Sequence, residues 1–293
     1  MATGKIIKAL SGFYYVYHEG TVYQCRGRGV FRKRKVTPLV GDIVEFQAET
    51  QTEGYILSIE GRKNEFVRPP IANVDQALVV TSAANPDFNS VLLDRFLVLV
   101  EAKRLEPIIV ISKMDQTSEA VAAEIEEYQK VYERIGYTVI LSSFRDAGGI
   151  DRIQSYLAKK TTVIAGQSGV GKSSLLNTID PRLNIDTDEI SESLGRGKHT
   201  TRHVELYEVA GGLVADTPGF SSLEFGDLET DQLSECFPEF VEVQDQCKFR
   251  GCLHAKEPKC AVKAEVLEGN ISEKRYDHYL QFLNEIQNRK PRY

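Results

Sequence analysis

At 293 residues the chain exceeds one small module and has room for two or three domains with a sizeable core. Hydrophobic residues at 42% and charged residues at 27%, with 22 Gly and 10 Pro, match ordinary globular composition and exclude wholesale disorder and fibrous architecture. The net charge of −6, from 36 basic and 42 acidic side chains, argues against a chain wrapped along its whole length in nucleic acid.

The charge is unevenly spread. Residues 1–70 carry 11 basic and 7 acidic groups, 71–226 carry 15 and 22, and 248–293 carry 10 and 6. Basic ends around an acidic middle fit a chain whose ends meet a polyanion. The longest apolar runs, such as 96–100, span five residues, against the roughly 18–20 needed to cross a bilayer, so no membrane helix is expected. Lys8 interrupts the stretch where the core of a secretory signal would run. A cytoplasmic protein is therefore expected, in which the five cysteines do not form a disulfide framework.

In chain order, residues 1–70 predict strands at 5–10, 13–18, 21–26, 42–47 and 55–60, rich in Val, Ile, Tyr and Phe and separated by Gly turns. Five short strands suit an OB-fold β-barrel. Between the third and fourth, Arg26, Arg28, Arg32, Lys33, Arg34 and Lys35 surround Phe31 without one carboxylate, which reads as a solvated loop suited to phosphates of RNA. Over 71–226, apolar runs at 76–81, 107–111, 138–141, 161–165, 204–209 and 213–216 alternate with helical spacing at 94–103, 118–135, 149–159 and 172–179. That alternation predicts a doubly wound α/β domain with a parallel sheet. Residues 227–293 form a third module, ending in a helix over 272–289 whose Tyr276, Tyr279, Leu280, Leu283 and Ile286 share one packing face.

The run 161–165 leads directly into Gly166, Gln167, Ser168, Gly169, Val170, Gly171, Lys172, Ser173 and Ser174, which fits the phosphate-loop pattern G-x-x-x-x-G-K-S with a helix following. Successive amides must curl around phosphates, so Cβ atoms would obstruct; Lys172 adds a point charge and Ser173 a hydroxyl for Mg²⁺. About 45 residues on, an apolar strand ends in Asp216-Thr217-Pro218-Gly219, placing a carboxylate for the Mg²⁺ shell and a glycine amide for the γ-phosphate. Between them lies a polar stretch, 182–202, a switch whose Thr201 or Thr200 completes the Mg²⁺ ligands, with Thr201 favoured.

Base choice falls to Ser112-Lys113-Met114-Asp115. Past a strand end, the Asp115 carboxylate accepts from N1–H and N2–H₂ of guanine, a donor pair adenine lacks. Lys113 lays its stem along the ring, and Ser142-Ser143 offer a backbone amide to O6. In ordinary small GTPases the phosphate loop comes first and these segments last. Here they precede it in retained cyclic order, so the central domain reads as a circularly permuted P-loop GTPase.

Cys247, Cys252, His254 and Cys260 give C-x4-C-x-H-x5-C, four N/S donors within fourteen residues. Such a set suits one closed, structural Zn²⁺ that staples a segment too small to fold alone. Lys248, Arg250, Lys256 and Lys259 interleave with the donors and make a basic knuckle. Cys25 and Cys236 read as packing residues.

A permuted GTPase domain behind a small barrel and ahead of CKFRGCLHAKEPKC resembles the RsgA family, also called YjeQ or YloQ, the bacterial small-subunit-dependent GTPases. The likeness covers essentially the whole chain, including NVDQALVV, GQSGVGKSSLLN, GKHTTR and DTPGF. It implies GTP hydrolysis to GDP stimulated by the small ribosomal subunit late in that subunit's maturation, with barrel and zinc module contacting rRNA. Ser112 stands where Asn is usual, which ties the segment less firmly to the phosphate loop. Phe220 follows DTPG where Ras-like enzymes place a water-positioning Gln, which leaves His199 as the nearest candidate to orient the attacking water. Slow intrinsic hydrolysis is expected. The alternative is an RNA-binding module gated by nucleotide with negligible turnover. Nothing in the sequence calls for an obligate dimer.

Overall fold

The computed structural model describes residues 1–29, 31, 36–66, 70–143, 147–185, 204–216, 224–226 and 228–289, with Ala147 and Asp216 described by their backbone alone. The chain packs as two compact units, Met1–Gln76 with Asp146–Ser221, and Ala77–Arg145 with Ser222–Tyr293. Each unit joins part of the central segment to one end of the chain.

In the first unit, β1 (Ala2–Leu10), β2 (Phe13–His18), β3 (Thr21–Gly27), β4 (Ile43–Thr50) and β5 (Glu53–Ile59) close a barrel in the order β1-β2-β3-β5-β4. All pairs are antiparallel except β3 with β5, and β1 returns to β4 through Ala2↔Phe46 to Lys5↔Ile43. Period-two burial fills the interior with Ile6, Val16, Cys25, Val44, Phe46 and Ile56. Burial pushes the Cys25 thiol up to about 11, as befits a packing residue. A two-residue ribbon, β6 (Glu65–Phe66) with β7 (Ile71–Ala72), follows the barrel and was not expected from the sequence. Gly41 is required where the two meet: its φ is +91°, and a Cβ there would lie 1.9 Å from the Ala72 carbonyl oxygen.

The rest of the first unit carries β11 (Thr161–Ala165), β12 (Leu206–Val209) and β13 (Gly212–Asp216). β11 and β13 run parallel, but β12 is antiparallel to β13, which corrects the expectation of a wholly parallel sheet. The reason is the connection. Only Ala210 and Gly211 separate the strands, both at positive φ (51° and 74°), and a two-residue turn of this kind forces a hairpin. Gln76 anchors the start of β8 (Gln76–Ser82), donating to the Tyr156 carbonyl at 2.8 Å and the Thr162 hydroxyl at 2.9 Å.

In the second unit, β9 (Glu106–Ser112) and β10 (Thr138–Leu141) pair in parallel, and their near-continuous burial explains why both read as plain apolar runs. The helix Ser90–Glu101 starts four residues before its expected position, because the Asn89 side chain accepts from the Leu92 amide and caps it. The helix Glu119–Ile135 is capped by Ser118 and ends at Gly136 in the left-handed region. The C-terminal module contributes Thr230–Leu233, Pro238–Val241, Ala261–Leu267 and Glu273–Gln287. Its aromatic core of Phe237, Phe240, Tyr279 and Phe282 packs with Val98 of the helix Ser90–Glu101. Of the stripe expected on the last helix, Tyr279, Leu283 and Ile286 are buried, while Tyr276 and Leu280 are partly so. Among the described residues no helix is long and apolar enough to cross a membrane.

Candidate functional site

β11 is buried along its whole length, so its end is a rigid platform for the loop that follows. Gly166, Gly169 and Gly171 have φ of 144°, 82° and 92°, values that side-chain-bearing residues rarely adopt, which is why glycines stand there. Val170 is buried and pins the loop, while Gln167 and Gly169 are exposed and Ser168 is half-buried. Lys172 and Ser173 open the helix Lys172–Ile179 and are both buried. The Lys172 ammonium donates to the carbonyls of Gly166 (2.9 Å) and Gln167 (2.8 Å), holding its charge inside the loop. The helix is preceded by Gly171 and has no side-chain cap, a start suited to an anion. Ser174 faces partly outward, and its carbonyl accepts from Thr178 (2.7 Å).

In the second unit the segments expected to read the base come together at the ends of adjacent strands. Ser112 closes β9, is buried, and donates to the Thr81 carbonyl at 3.1 Å; its own carbonyl accepts from the Ala83 amide at 2.9 Å. Lys113 adopts a left-handed conformation (φ 58°), which turns the chain into the short helix Met114–Gln116 and leaves Met114 half-buried and Asp115 exposed. Ser142 follows β10, donates its amide to the Ile111 carbonyl (2.9 Å) and accepts from the Met114 amide (3.3 Å). The Ser142 side chain is buried, and Ser143 beside it is half-buried. The Lys113 ammonium donates to the Asn85 carbonyl, and partial burial lowers its pKa. Asn85 was missed in the sequence because a backbone carbonyl 28 residues away carries no side-chain signal.

The Cys/His cluster is in the second unit too, and its geometry tests the expected metal. The donor atoms of Cys247, Cys252, His254 and Cys260 all lie within 4.8 Å of one another. Cys247 and Cys260 sulfurs are 3.9 Å apart, and His254 Nδ1 is 3.6 Å and 3.3 Å from them. A tetrahedron with metal–sulfur near 2.3 Å and metal–nitrogen near 2.0–2.1 Å has edges of roughly 3.8 Å and 3.5 Å, so these residues fit Zn²⁺. Without a cation, burial pushes the Cys252 thiol up to about 12, a cost that a divalent ion removes by holding the thiolate. Tyr276 and Tyr279 brace the knuckle, donating at 2.7 Å to the carbonyls of His254 and Leu253. Glu257 accepts from the amides of Leu253 and Ala255 at 3.0 Å each. Cys236 is buried in the aromatic core and is not one of the four grouped donors.

Arg26, expected in the basic loop, belongs instead to β3, where it lies 4.9 Å over the Phe13 ring, and Arg28 just past the strand is exposed. Phe31 departs from the expectation of a wholly solvated loop: it is buried, and its carbonyl accepts from the Val36 amide (3.0 Å). An apolar ring among cations is most stable turned inward. Arg32, Lys33, Arg34, Lys35, His199, Thr200, Thr201 and Gly219 lie outside the described residues. Asp216 ends β13 as expected.

Residues 59–226 match the family model for the RsgA GTPase, and residues 3–56 match that for the RsgA N-terminal domain. The chain is 63% identical, over all of both sequences, to a Geobacillus kaustophilus protein named small ribosomal subunit biogenesis GTPase RsgA. Among solved structures it is similar to YloQ, described as a circularly permuted GTPase, with TM-score 0.86 and 55% identity over 100% of this chain and 97% of that one. It is also similar to YjeQ from Thermotoga maritima, with TM-score 0.87 and 36% identity over 99% of each chain.

Proposed function

The chain belongs to the RsgA family and is a GTPase, and from that premise we propose that it hydrolyses GTP to GDP and phosphate in late small-subunit biogenesis, stimulated by that subunit. The observation that carries the reading is the loop 166–173, with its three positive-φ glycines and inward-held Lys172, on a buried strand. Gly166 to Ser174 bind the polyphosphate through amides, and Lys172 turns from its loop carbonyls to the β- and γ-phosphates. Ser173, Asp216 and Thr201 are the residues to hold Mg²⁺, which neutralises charge between the phosphates. Gly219 meets the γ-phosphate. Asp115 reads guanine, Ser112, Lys113 and Met114 shape its bed, and Ser142 and Ser143 present an amide to O6. His199 orients the attacking water.

Cys247, Cys252, His254 and Cys260 hold a structural Zn²⁺, which stiffens the knuckle bearing Lys248, Arg250, Lys256 and Lys259. That knuckle and the barrel cations, Arg26, Arg28, Arg32, Lys33, Arg34 and Lys35, contact rRNA. Functionally the chain divides into an RNA-binding barrel at 1–70, a GTPase domain at 71–226 and a zinc module at 227–293, and it works as a cytoplasmic monomer.

Phosphate release from GTP, measured with and without purified small subunits, tests the reading. Turnover should rise when subunits are added and fall by about 10²-fold or more in Lys172→Ala. GTP binding without turnover in the presence of subunits would instead favour the nucleotide-gated RNA clamp.

A further inference from the structure

β1 belongs to the barrel, yet it also touches the phosphate-binding half of the same unit. Its Lys8, just past a bulge between Ile6 and Lys8, forms an isolated antiparallel bridge with Glu205. The Lys8 ammonium is 2.8 Å from the Glu205 carboxylate, both about one-third exposed. Two further contacts join the halves: Lys5 donates to the Thr161 hydroxyl at 2.8 Å, and Tyr17 donates to Glu208 at 3.1 Å.

Strand register separates these contacts. Leu206 pairs with Ala215, so Glu205 lies level with Asp216. Asp216 pairs with Ile164, two residues before Gly166, where the phosphate loop opens. Lys8, Glu205, Asp216 and Ile164 therefore form a lateral line across the strands from the barrel to the nucleotide end of the sheet. Lys5 instead meets Thr161, the first residue of β11, and Glu208 pairs with Leu213 near the hairpin turn. Among the described barrel side chains of these three contacts, Lys8 alone acts at the nucleotide end. The Glu205 hydrogen bond raises the Lys8 pKa, so the ammonium persists through the neutral range.

We propose that the Lys8–Glu205 pair is a positioning contact through which occupancy of the barrel by RNA acts on GTP turnover. The inference rests on the reading that the small subunit stimulates hydrolysis. The same contact couples the binding equilibria of RNA and nucleotide, and coupling between binding equilibria is reciprocal, so nucleotide state acts on β1 as well. A partly exposed ion pair contributes little to global stability, so its loss leaves a folded protein to assay.

The test compares Lys8→Met, Glu205→Gln and the exchanged pair K8E with E205K. The kcat and KM for GTP are measured with and without small subunits. Amide hydrogen exchange of residues 6–10 is measured with GDP and with a non-hydrolysable GTP analogue. Each single variant should keep its intrinsic kcat and KM within about twofold, lose about fivefold or more of the stimulated kcat, and regain most of it in the exchanged pair. Wild-type β1 protection should differ between nucleotides, and the difference should vanish in the single variants. An unchanged stimulated kcat, an equal loss of intrinsic and stimulated rates, or wild-type protection identical in both nucleotides would overturn the proposal. Absence of stimulation in the wild type would instead sink the functional reading, and the exchange comparison would still decide the coupling.

Discussion

Arg275→Met should open the second unit locally. The Arg275 guanidinium is 3% exposed, between Asp94 at 0% and Glu239 at 9%. It donates to Glu239 through Nε (2.6 Å) and a terminal nitrogen (3.1 Å), and to Asp94 through its other terminal nitrogen. Burial works against its charge, but the two carboxylates outweigh that and raise its pKa further. Tyr132 (2.9 Å) and His278 (2.5 Å) complete the shell of Asp94. Removing the one guanidinium strands two buried anions, at a cost of about 3–5 kcal/mol. A chain of two packing units has no single unfolding free energy, so the measure is local amide exchange in the helices Ser90–Glu101 and Glu273–Gln287. At tenfold per 1.4 kcal/mol, protection should drop by roughly 10²- to 10⁴-fold. Adding Asp94→Asn and Glu239→Gln should recover most of the loss by removing the stranded charges. A drop below about tenfold in both helices would refute the charge argument. A triple variant as damaged as the single one would reassign the cost to packing of Arg275 on the Phe237 ring, 4.9 Å away.

Zinc analysis should find one ion per chain, lost in Cys252→Ser, and chelation should lower exchange protection of the helix Ala261–Leu267 by about 100-fold; full protection after chelation would show that the module holds itself. Asp115→Asn should weaken GTP binding by about 10²-fold or more and admit xanthosine triphosphate, whose base presents an acceptor where guanine presents a donor; an unchanged preference in competition binding would remove Asp115 from base reading. Ala210→Gly should stabilise the β12–β13 hairpin by about 1 kcal/mol, since Ala210 stands at φ 51°, and a roughly fivefold rise in amide-exchange protection of Leu206–Val209 checks it. Glu285 is held below its ordinary pKa first by its hydrogen bond from Arg95, with burial opposing. Its stabilising contribution is therefore present above the unfolded value of about 4.3 and lost as pH falls through the lower folded value; Glu285→Gln should flatten that part of the pH dependence of the local opening free energy of the helix Glu273–Gln287, read by amide exchange, and parallel slopes would contradict it.

Much of the fold was legible because its signals are local. The strands Phe13–His18, Thr138–Leu141 and Thr161–Ala165 and the helix Lys172–Ile179 coincide with the sequence expectation, since burial on one or both faces writes a periodic apolar pattern. The phosphate-loop glycines were readable for a different reason: positive φ restricts residue type. The ribbon Glu65–Phe66 with Ile71–Ala72 was not, because two residues per strand carry no period. The inward turn of Phe31 was hidden by the cations around it.

Residue spacing by itself determined the glycine-rich loop after a buried strand, the four clustered donors and the order of the GTPase segments, because each depends on neighbours a few positions apart or on segment order. Tertiary structure alone decided that Arg275 would meet Asp94 across 181 residues and Lys8 would meet Glu205 across 197. Charged side chains default to water in any local reading. Only chain packing shows which of them are withdrawn from it and what partner compensates the lost solvation.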